Sequence, residues 1–136
     1  MRVSVVTACG NKKAEIPLPA WQLYKSPRIK AVYNRKGNHD MYILSAEYGL
    51  IPAEKVVAPY NRIMDEKRSE ELIPKLKEVV KNYDAIVYFK AGSRNLYEKC
   101  IAKACKDTGT RLISFGKGFM GDINELELKI KEAEKG

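Results

Sequence analysis

The sequence is poor in the residues that build metal sites and disulfides. Its 136 residues include three cysteines and a single histidine. The cysteines, Cys9, Cys100 and Cys105, lack the spacing of zinc ligands, which argues against a structural zinc site. An odd number of cysteines without a secretory signal pattern indicates reduced thiols. We therefore expect a cytoplasmic protein that holds no metal and no other cofactor.

Long hydrophobic runs are absent as well. No apolar stretch approaches the roughly 20 residues that a membrane-spanning helix needs. The hydrophobic fraction of 45% and the charged fraction of 31% are those of a globular protein. A chain of this length buries roughly two thirds of its unfolded surface in one core. We therefore predict a single domain over residues 1–136, with no membrane partner.

Acidic residues are the scarcer charge. Seventeen Asp and Glu stand against 25 Lys and Arg, so the net charge is +8 and the pI is about 9.4. This excess favours an anionic partner such as a nucleotide, a nucleic acid or a phosphorylated metabolite, although solubility alone explains it equally well. The balance of lysine and glutamate is thermophile-like. The sequence leaves the oligomeric state open, a homo-oligomer included.

Four short apolar segments predict the strands of a sheet, at residues 2–8, 41–45, 84–89 and 110–115. Helical patterns separate them, which is typical of parallel strands joined by crossover helices. Ser26 and Pro27 predict the start of the first of these helices. The predicted fold class is α/β: a single three-layer domain with a mostly parallel four-stranded sheet and helices on both faces.

Two connections, residues 9–25 and 47–67, are longer than usual, and both follow predicted strands. Long loops in a compact domain are commonly functional. In a parallel sheet both loops lie at the carboxyl edge, where open α/β sheets bind their ligands. We therefore expect the functional site at this edge.

The second of these connections contains a carboxylate among aromatic and basic residues. Glu47 is followed by Tyr48 and, after two prolines, by Tyr60 and Arg62. Glu47 is a candidate general base, or a hydrogen-bond acceptor for a nucleobase on which a tyrosine stacks. Alternatively, Glu47 pairs with Arg62 and only fixes the shape of the loop. We assign Glu47 and Tyr48 as catalytic, and the remaining candidates for ligand binding in this segment are Ser45, Gly49, Tyr60 and Arg62.

The turn after the first strand predicts an anion site. It contains Cys9, Gly10, Asn11, Lys12 and Lys13. Small residues let backbone N–H groups approach an anion, and the two lysines add positive charge. The other interpretation is a tight turn with solvated lysines.

Cys9 is a weak candidate for a nucleophile. A catalytic thiol needs a base, and His39 is the only histidine. His39 falls in a polar turn at the opposite edge of the predicted sheet. Cysteine catalysis is therefore disfavoured.

The third predicted strand is followed by Gly92, Ser93 and Arg94, just before a helical pattern. With Ser93 as its N-cap, this helix start could receive an anion, or the serine could serve capping alone. The last strand is followed by residues 116–121, which match G-x-G-x-x-G. No strand with an acidic residue follows, so a dinucleotide site is disfavoured. The glycines of this segment could instead form a bend that brings backbone amides near a ligand, or allow tight packing of the helix on the strand.

Several motifs resemble those of a family of small, largely uncharacterised α/β proteins of prokaryotes and phages. The motifs are Cys-Gly-x-Lys at 9–12, Pro-Ala-x-x-Leu-Tyr-x-Ser-Pro at 19–27, Leu-Ser-Ala-x-Tyr-Gly-Leu at 44–50 and Pro-Tyr at 59–60. Residues 48–52 and 59–64 are more distantly similar to segments of the peroxide-stress YaaA proteins, which implies DNA binding. The core also resembles domains of archaeal tRNA-modifying transglycosylase relatives, which implies a nucleobase ligand.

Together these features predict a nucleotide- or nucleobase-binding protein that acts, if it is an enzyme, on N-glycosidic bonds. Glu47 would be the acid/base or sugar-stabilising carboxylate, and Tyr48 or Tyr60 would stack on the base. The phosphate would be held by Lys12, Lys13, Arg62 and Arg94. One alternative is a non-catalytic nucleic-acid-binding module that uses the same basic edge. A third is a protein-interaction domain.

Overall fold

A computed structural model describes residues 1–10, 12–118 and 120–135 of the chain. The strands are β1 Val3–Ala8, β2 Leu18–Pro19, β3 Asp40–Ser45, β4 Gly49–Pro52, β5 Val56–Val57, β6 Ala85–Phe89 and β7 Arg111–Phe115. The helices are α1 Ala20–Leu23, α2 Pro27–Arg35, α3 Glu66–Val80, α4 Asn95–Thr108 and α5 Leu126–Glu134, with a 3₁₀ helix over Met120–Glu125.

The main sheet has five strands in the order β4-β3-β1-β6-β7. The four predicted strands are all present, and β3, β1, β6 and β7 run parallel. The prediction of a four-stranded sheet is wrong, because β4 turns back and pairs antiparallel with β3. Gly49 permits this tight reversal with its φ of +76°, a conformation that side chains disfavour. The fold is therefore α/β with a mixed sheet.

Helices cover both faces of the sheet, because alternate residues of each parallel strand point to opposite sides. Val3 and Val5 of β1 face a cluster that includes Ile29 of α2 and Ile130 of α5. On the other face, Val6 joins a cluster formed with α3 and α4. Burial of these two hydrophobic clusters stabilises the fold by roughly 25 cal/mol per Å² of apolar surface removed from water.

Two helices begin where side chains cap them. The Ser26 hydroxyl accepts a hydrogen bond from the Ile29 amide at 3.4 Å, and Pro27 follows as the first helical residue, as predicted. The Asp65 carboxylate accepts one from the Arg68 amide at 2.7 Å at the start of α3. These helix starts place Arg28 in the first turn of α2 and Arg68 in the first turn of α3.

The parallel topology brings the ends of β1, β3, β6 and β7 to one edge of the sheet. A small antiparallel pair, β2 with β5, ties the loop after β1 to the loop after β4. His39 precedes β3 and thus lies at the opposite, amino edge, where its Nε2 is 3.3 Å from a carboxylate oxygen of Glu134. Within the described residues, no helix is long and apolar enough to cross a membrane.

Candidate functional site

A cavity of about 300 Å³ opens at the carboxyl edge, between the ends of β1 and β6. We call it the cation cavity, because six basic side chains line it: Lys12, Lys13, Lys25, Arg28, Arg62 and Arg94. Within the described part of the chain, no Asp or Glu lines it. Like charges concentrated in a concave surface raise the local positive potential and attract anions.

Arg28 organises the floor of this cavity from the first turn of α2. Its guanidinium donates hydrogen bonds to the carbonyl oxygens of Ala8 at 2.8 Å, Cys9 at 3.1 Å and Ala91 at 3.1 Å. These bonds join the end of β1 to the loop after β6. The Nε atom is buried, and none of the described residues accepts a hydrogen bond from it. Burial lowers the pKa of the Arg28 guanidinium from its ordinary value.

The N-terminus of α4 forms another wall. Its N-cap residue is Arg94, whose side chain makes no capping hydrogen bond. The predicted cap, Ser93, instead donates its hydroxyl to the Lys90 carbonyl at 2.7 Å, so the capping role is wrong. Among the described residues, no side chain caps the first backbone N–H groups of α4. Such a helix start carries partial positive charge that adds to that of the basic side chains.

A chain of hydroxyl groups lies behind the cavity. The Ser45 Oγ accepts hydrogen bonds from the amides of Glu47 and Tyr48, both at 3.1 Å, and donates to the Tyr60 hydroxyl at 2.7 Å. The Tyr60 hydroxyl is in turn 2.6 Å from that of Tyr24. These contacts tie the loop after β3 to the loop after β1. Ser45 and Tyr60 were predicted to bind a ligand. Their hydroxyl groups instead form hydrogen bonds within the protein.

The tyrosines near the cavity are neutral at physiological pH. Burial is the main cause that raises the pKa of Tyr24, Tyr60 and Tyr97 above the usual value of about 10. The Tyr97 hydroxyl also accepts a hydrogen bond from the Cys9 thiol, at 3.3 Å. These groups add no negative charge to the cavity, and they can donate or accept hydrogen bonds.

The predicted catalytic residues lie outside the cation cavity. A Glu47 carboxylate oxygen is 3.5 Å from Arg62 Nη1, which is the pairing expected of a shape-fixing salt bridge. Arg62 also lies 3.9 Å from Glu71. Tyr48 donates its hydroxyl to the Ala58 carbonyl at 3.1 Å, and its ring stands edge-on to that of Tyr60, with 5.3 Å between centroids. Among the described residues, Arg62 connects Glu47 to the lining of the cavity.

The structure thus divides the predicted site residues into two groups. The cation cavity brings together Cys9, Gly10, Lys12, Lys13, Arg62, Gly92, Ser93 and Arg94. It does not include Ser45, Glu47, Tyr48, Gly49 and Tyr60. Asn11, which was also predicted to bind the ligand, lies outside the described residues. Lys13 links the two groups, because its Nζ lies 4.4 Å from the centroid of the Tyr60 ring.

Sequence reasoning missed Lys25, Arg28 and Tyr97, all of which line the cavity. Arg28 carried a usable signal, because it occupies the first turn of a helix, where a cation opposes the helix dipole. A positive charge in the first turn of a helix therefore indicates a role other than stabilising that helix. Tyr97 carried no comparable signal, since its spacing along α4 is that of a core residue.

The described residues include no group of three or more His, Cys, Asp and Glu side chains that could hold a metal ion. The chain is an α/β domain with a cavity lined by basic side chains at the carboxyl edge of its sheet. Residues 4–116 match a family described as a family of unknown function, DUF6884, and the chain belongs to it. No curated protein and no solved structure matches the chain, so these comparisons show no relationship to the YaaA proteins.

Proposed function

We propose that this protein binds a nucleotide, or a closely related phosphate-bearing ligand, in the cation cavity. The observation that carries the proposal is the lining of six basic side chains without a carboxylate among the described residues. Basic side chains gathered in one cavity repel one another, and an anion that binds there relieves this repulsion. The cavity volume of about 300 Å³ is at the lower end of the range for small-molecule sites.

The donor groups match the chemistry of phosphate. Guanidinium groups are well suited to phosphate oxygens, and that of Arg94, whose Nη1 donates to the Met64 carbonyl at 2.8 Å, has further N–H donors. The uncapped N-terminus of α4 offers backbone N–H groups of the kind that bind phosphate in other proteins.

Ligand binding can be measured by calorimetry with AMP, ADP, inorganic phosphate and adenosine. We expect the three phosphate-bearing compounds to bind and adenosine to bind far more weakly, with affinity falling as salt rises. Lys12→Gln and Lys25→Gln should each lower the affinity about two- to fivefold, because both side chains are exposed. Lys131→Gln, on α5 at the amino edge beside His39, is the matched control.

Two results would change this conclusion. If none of the phosphate-bearing compounds binds, the proposal is wrong. If short oligonucleotides bind tightly and mononucleotides do not, the nucleic-acid-binding module replaces it. In that case each neutralised lysine should also reduce the slope of log affinity against log salt by about one.

Hydrolysis of an N-glycosidic bond is a second proposal, favoured by the position of Glu47. Arg62 lines the cavity and holds the Glu47 carboxylate at its rim, 3.5 Å away. A carboxylate there could remove a proton from water as the oxygen bonds to C1′ and the base departs with the C–N electron pair. Release of free base from nucleotides, followed by chromatography, tests this. Glu47→Gln should abolish release while binding persists.

The matched control for that experiment is Glu71→Gln. Glu71 also contacts Arg62, at 3.9 Å, but does not share the loop of Glu47. Loss of activity in Glu47→Gln alone would support a catalytic carboxylate. Equal loss in both variants would indicate that the carboxylates only position Arg62. No release of base by the unmodified protein would leave phosphate binding as the function and reject the hydrolase.

A further inference from the structure

A second cavity, of about 330 Å³, adjoins the cation cavity at the ends of β6 and β7. The two share Gly92, Ser93 and Arg94 as a common wall. The far side of the second cavity is formed by residues 116–118, the first half of the G-x-G-x-x-G segment. This motif therefore adjoins the site without forming a dinucleotide-binding turn. We call the second space the Glu98 cavity, after the carboxylate that lines it.

The Glu98 cavity differs from its neighbour in charge. Glu98 lies in the first turn of α4, and its side chain is 28% exposed. Its Oε2 accepts a short hydrogen bond from the Ser114 hydroxyl and lies 3.5 Å from Lys90 Nζ. Among the described residues, none makes a hydrogen bond or ion pair with Oε1. A carboxylate oxygen only accepts hydrogen bonds, so Oε1 is suited to a neutral donor and repels a phosphate.

Gly92 belongs to the wall that the two cavities share, and it has no side chain to separate them. Gly92 is exposed and has a φ of +76°, and a Cβ atom there would lie 3.3 Å from Arg28 Nη1. Gly116 has a φ of +104°, and a Cβ there would lie only 2.9 Å from a ring carbon of Phe89. Neither position accommodates a side chain without strain. A ligand can therefore cross the backbone at Gly92 with one end in each cavity.

We propose that the ligand is a ribonucleoside phosphate, with its phosphate in the cation cavity and its ribose hydroxyls donating to Glu98 in the adjoining cavity. The proposal rests on the phosphate-binding function above and narrows it to one sugar. Ser114 orients the carboxylate through Oε2, which leaves Oε1 turned to the ligand's hydroxyls. Lys90 offsets the charge of Glu98 without competing for Oε1. The sugar is thus recognised by an acceptor, and the phosphate by donors.

The test compares AMP with 2′-deoxy-AMP and 3′-deoxy-AMP by calorimetry. Because a hydrogen bond to a charged group is stronger than one between neutral groups, we expect at least one deoxy compound to bind about tenfold more weakly than AMP. Glu98→Gln should reduce this ratio to near unity while inorganic phosphate binds as before. Glu127→Gln, on α5 at the amino edge, should keep the ratio of the unmodified protein.

Ser114→Ala provides a second variant if Glu98→Gln folds poorly. Ser114 touches the carboxylate and not the proposed ligand, so its loss should weaken AMP and leave unchanged the deoxy compound that lacks the hydroxyl bonded to Glu98. Equal affinities for AMP and both deoxy compounds would overturn the ribose assignment while leaving phosphate binding intact. A ratio that persists in Glu98→Gln would also overturn it. Failure of AMP and inorganic phosphate to bind at all would overturn both proposals.

Discussion

The hydroxyl of Ser45 donates a 2.7 Å hydrogen bond to the hydroxyl of Tyr60, which lies beyond β4 and β5 in the chain. Ser45 is fully buried and ends β3, whereas Tyr60 belongs to the loop before α3. The same serine oxygen receives the amides of Glu47 and Tyr48. The Ser45 side chain thus stabilises the turn after β3. It also holds the loop that contains Tyr60 and Arg62, and Arg62 lines the cation cavity.

Replacing Ser45 by alanine should destabilise the fold. The change leaves two amides without their acceptor and removes the hydrogen-bond donor to Tyr60 in a buried setting, which costs about 1–3 kcal/mol. Urea denaturation gives the free energy of unfolding. Ser4→Ala is the matched control, since the Ser4 hydroxyl is buried and finds no hydrogen-bond partner among the described residues. Ser4→Ala should be neutral or stabilising, and equal losses in the two variants would contradict the proposed role of Ser45.

Arg68 is expected to hold the same turn from the side of α3. It donates from Nε to the Ala46 carbonyl at 2.7 Å and from Nη2 to the Glu47 carbonyl at 2.8 Å. Arg68→Ala should lower the free energy of unfolding by about 1.5–3 kcal/mol, and Arg68→Lys should recover little of it, because a lysine cannot span both carbonyls.

The control for Arg68 is its neighbour Lys67, which is exposed on the same helix. Lys67→Ala should change the free energy of unfolding by less than about 0.5 kcal/mol. A full rescue by Arg68→Lys would show that charge, and not the paired hydrogen bonds, holds the turn.

The parallel strands could be predicted because β1, β3, β6 and β7 are largely apolar, and β1 and β6 are buried along their whole length, as is typical of strands covered on both faces. β4 was missed for a physical reason. Its four residues begin with Gly49 and end with Pro52, both of which indicate a loop. Pro52 is tolerated because β4 lies at the edge of the sheet.

The location of the candidate site followed from the parallel topology, but its chemistry did not. Gly10, Lys12 and Arg94 follow strands and could be placed at the carboxyl edge from their order alone. Arg28 and Glu98 reach that edge from helices, and their positions depend on how those helices pack on the sheet. Glu47 shared the expected loop, yet its pairing with Arg62 depends on the path of residues 53–61, which local patterns do not determine.

Gly116 should be intolerant of a side chain. Its φ is +104°, and a Cβ would lie 2.9 Å from Phe89 Cε1 and 3.1 Å from the Ala91 amide nitrogen. Gly116→Ala therefore combines backbone strain with overpacking, and we expect a loss of at least about 2 kcal/mol in the free energy of unfolding. Gly121→Ala, where a Cβ meets none of the described atoms within 4 Å, should cost far less. Similar losses at both positions would contradict the close approach at Gly116.

Stability should fall at alkaline pH because of buried tyrosines. Burial raises the pKa of Tyr88 to about 12 and shifts those of Tyr24, Tyr60 and Tyr97 in the same direction. An unfolded tyrosine ionises near pH 10, so the folded state binds more protons above that pH. The stabilisation is complete below about pH 10 and is lost as pH rises through the folded pKa values.

The loss should be about 1.4 kcal/mol per pH unit for each tyrosine that is ionised only in the unfolded state. Urea denaturation between pH 8 and 12 measures it, and the ultraviolet absorbance of tyrosinate reports ionisation. Tyr88→Phe should reduce the loss in free energy of unfolding between pH 10 and 12 by about the contribution of one tyrosine, because this ring is fully buried. Ionisation of all tyrosines near pH 10 in a protein that stays folded would contradict the burial of these hydroxyl groups.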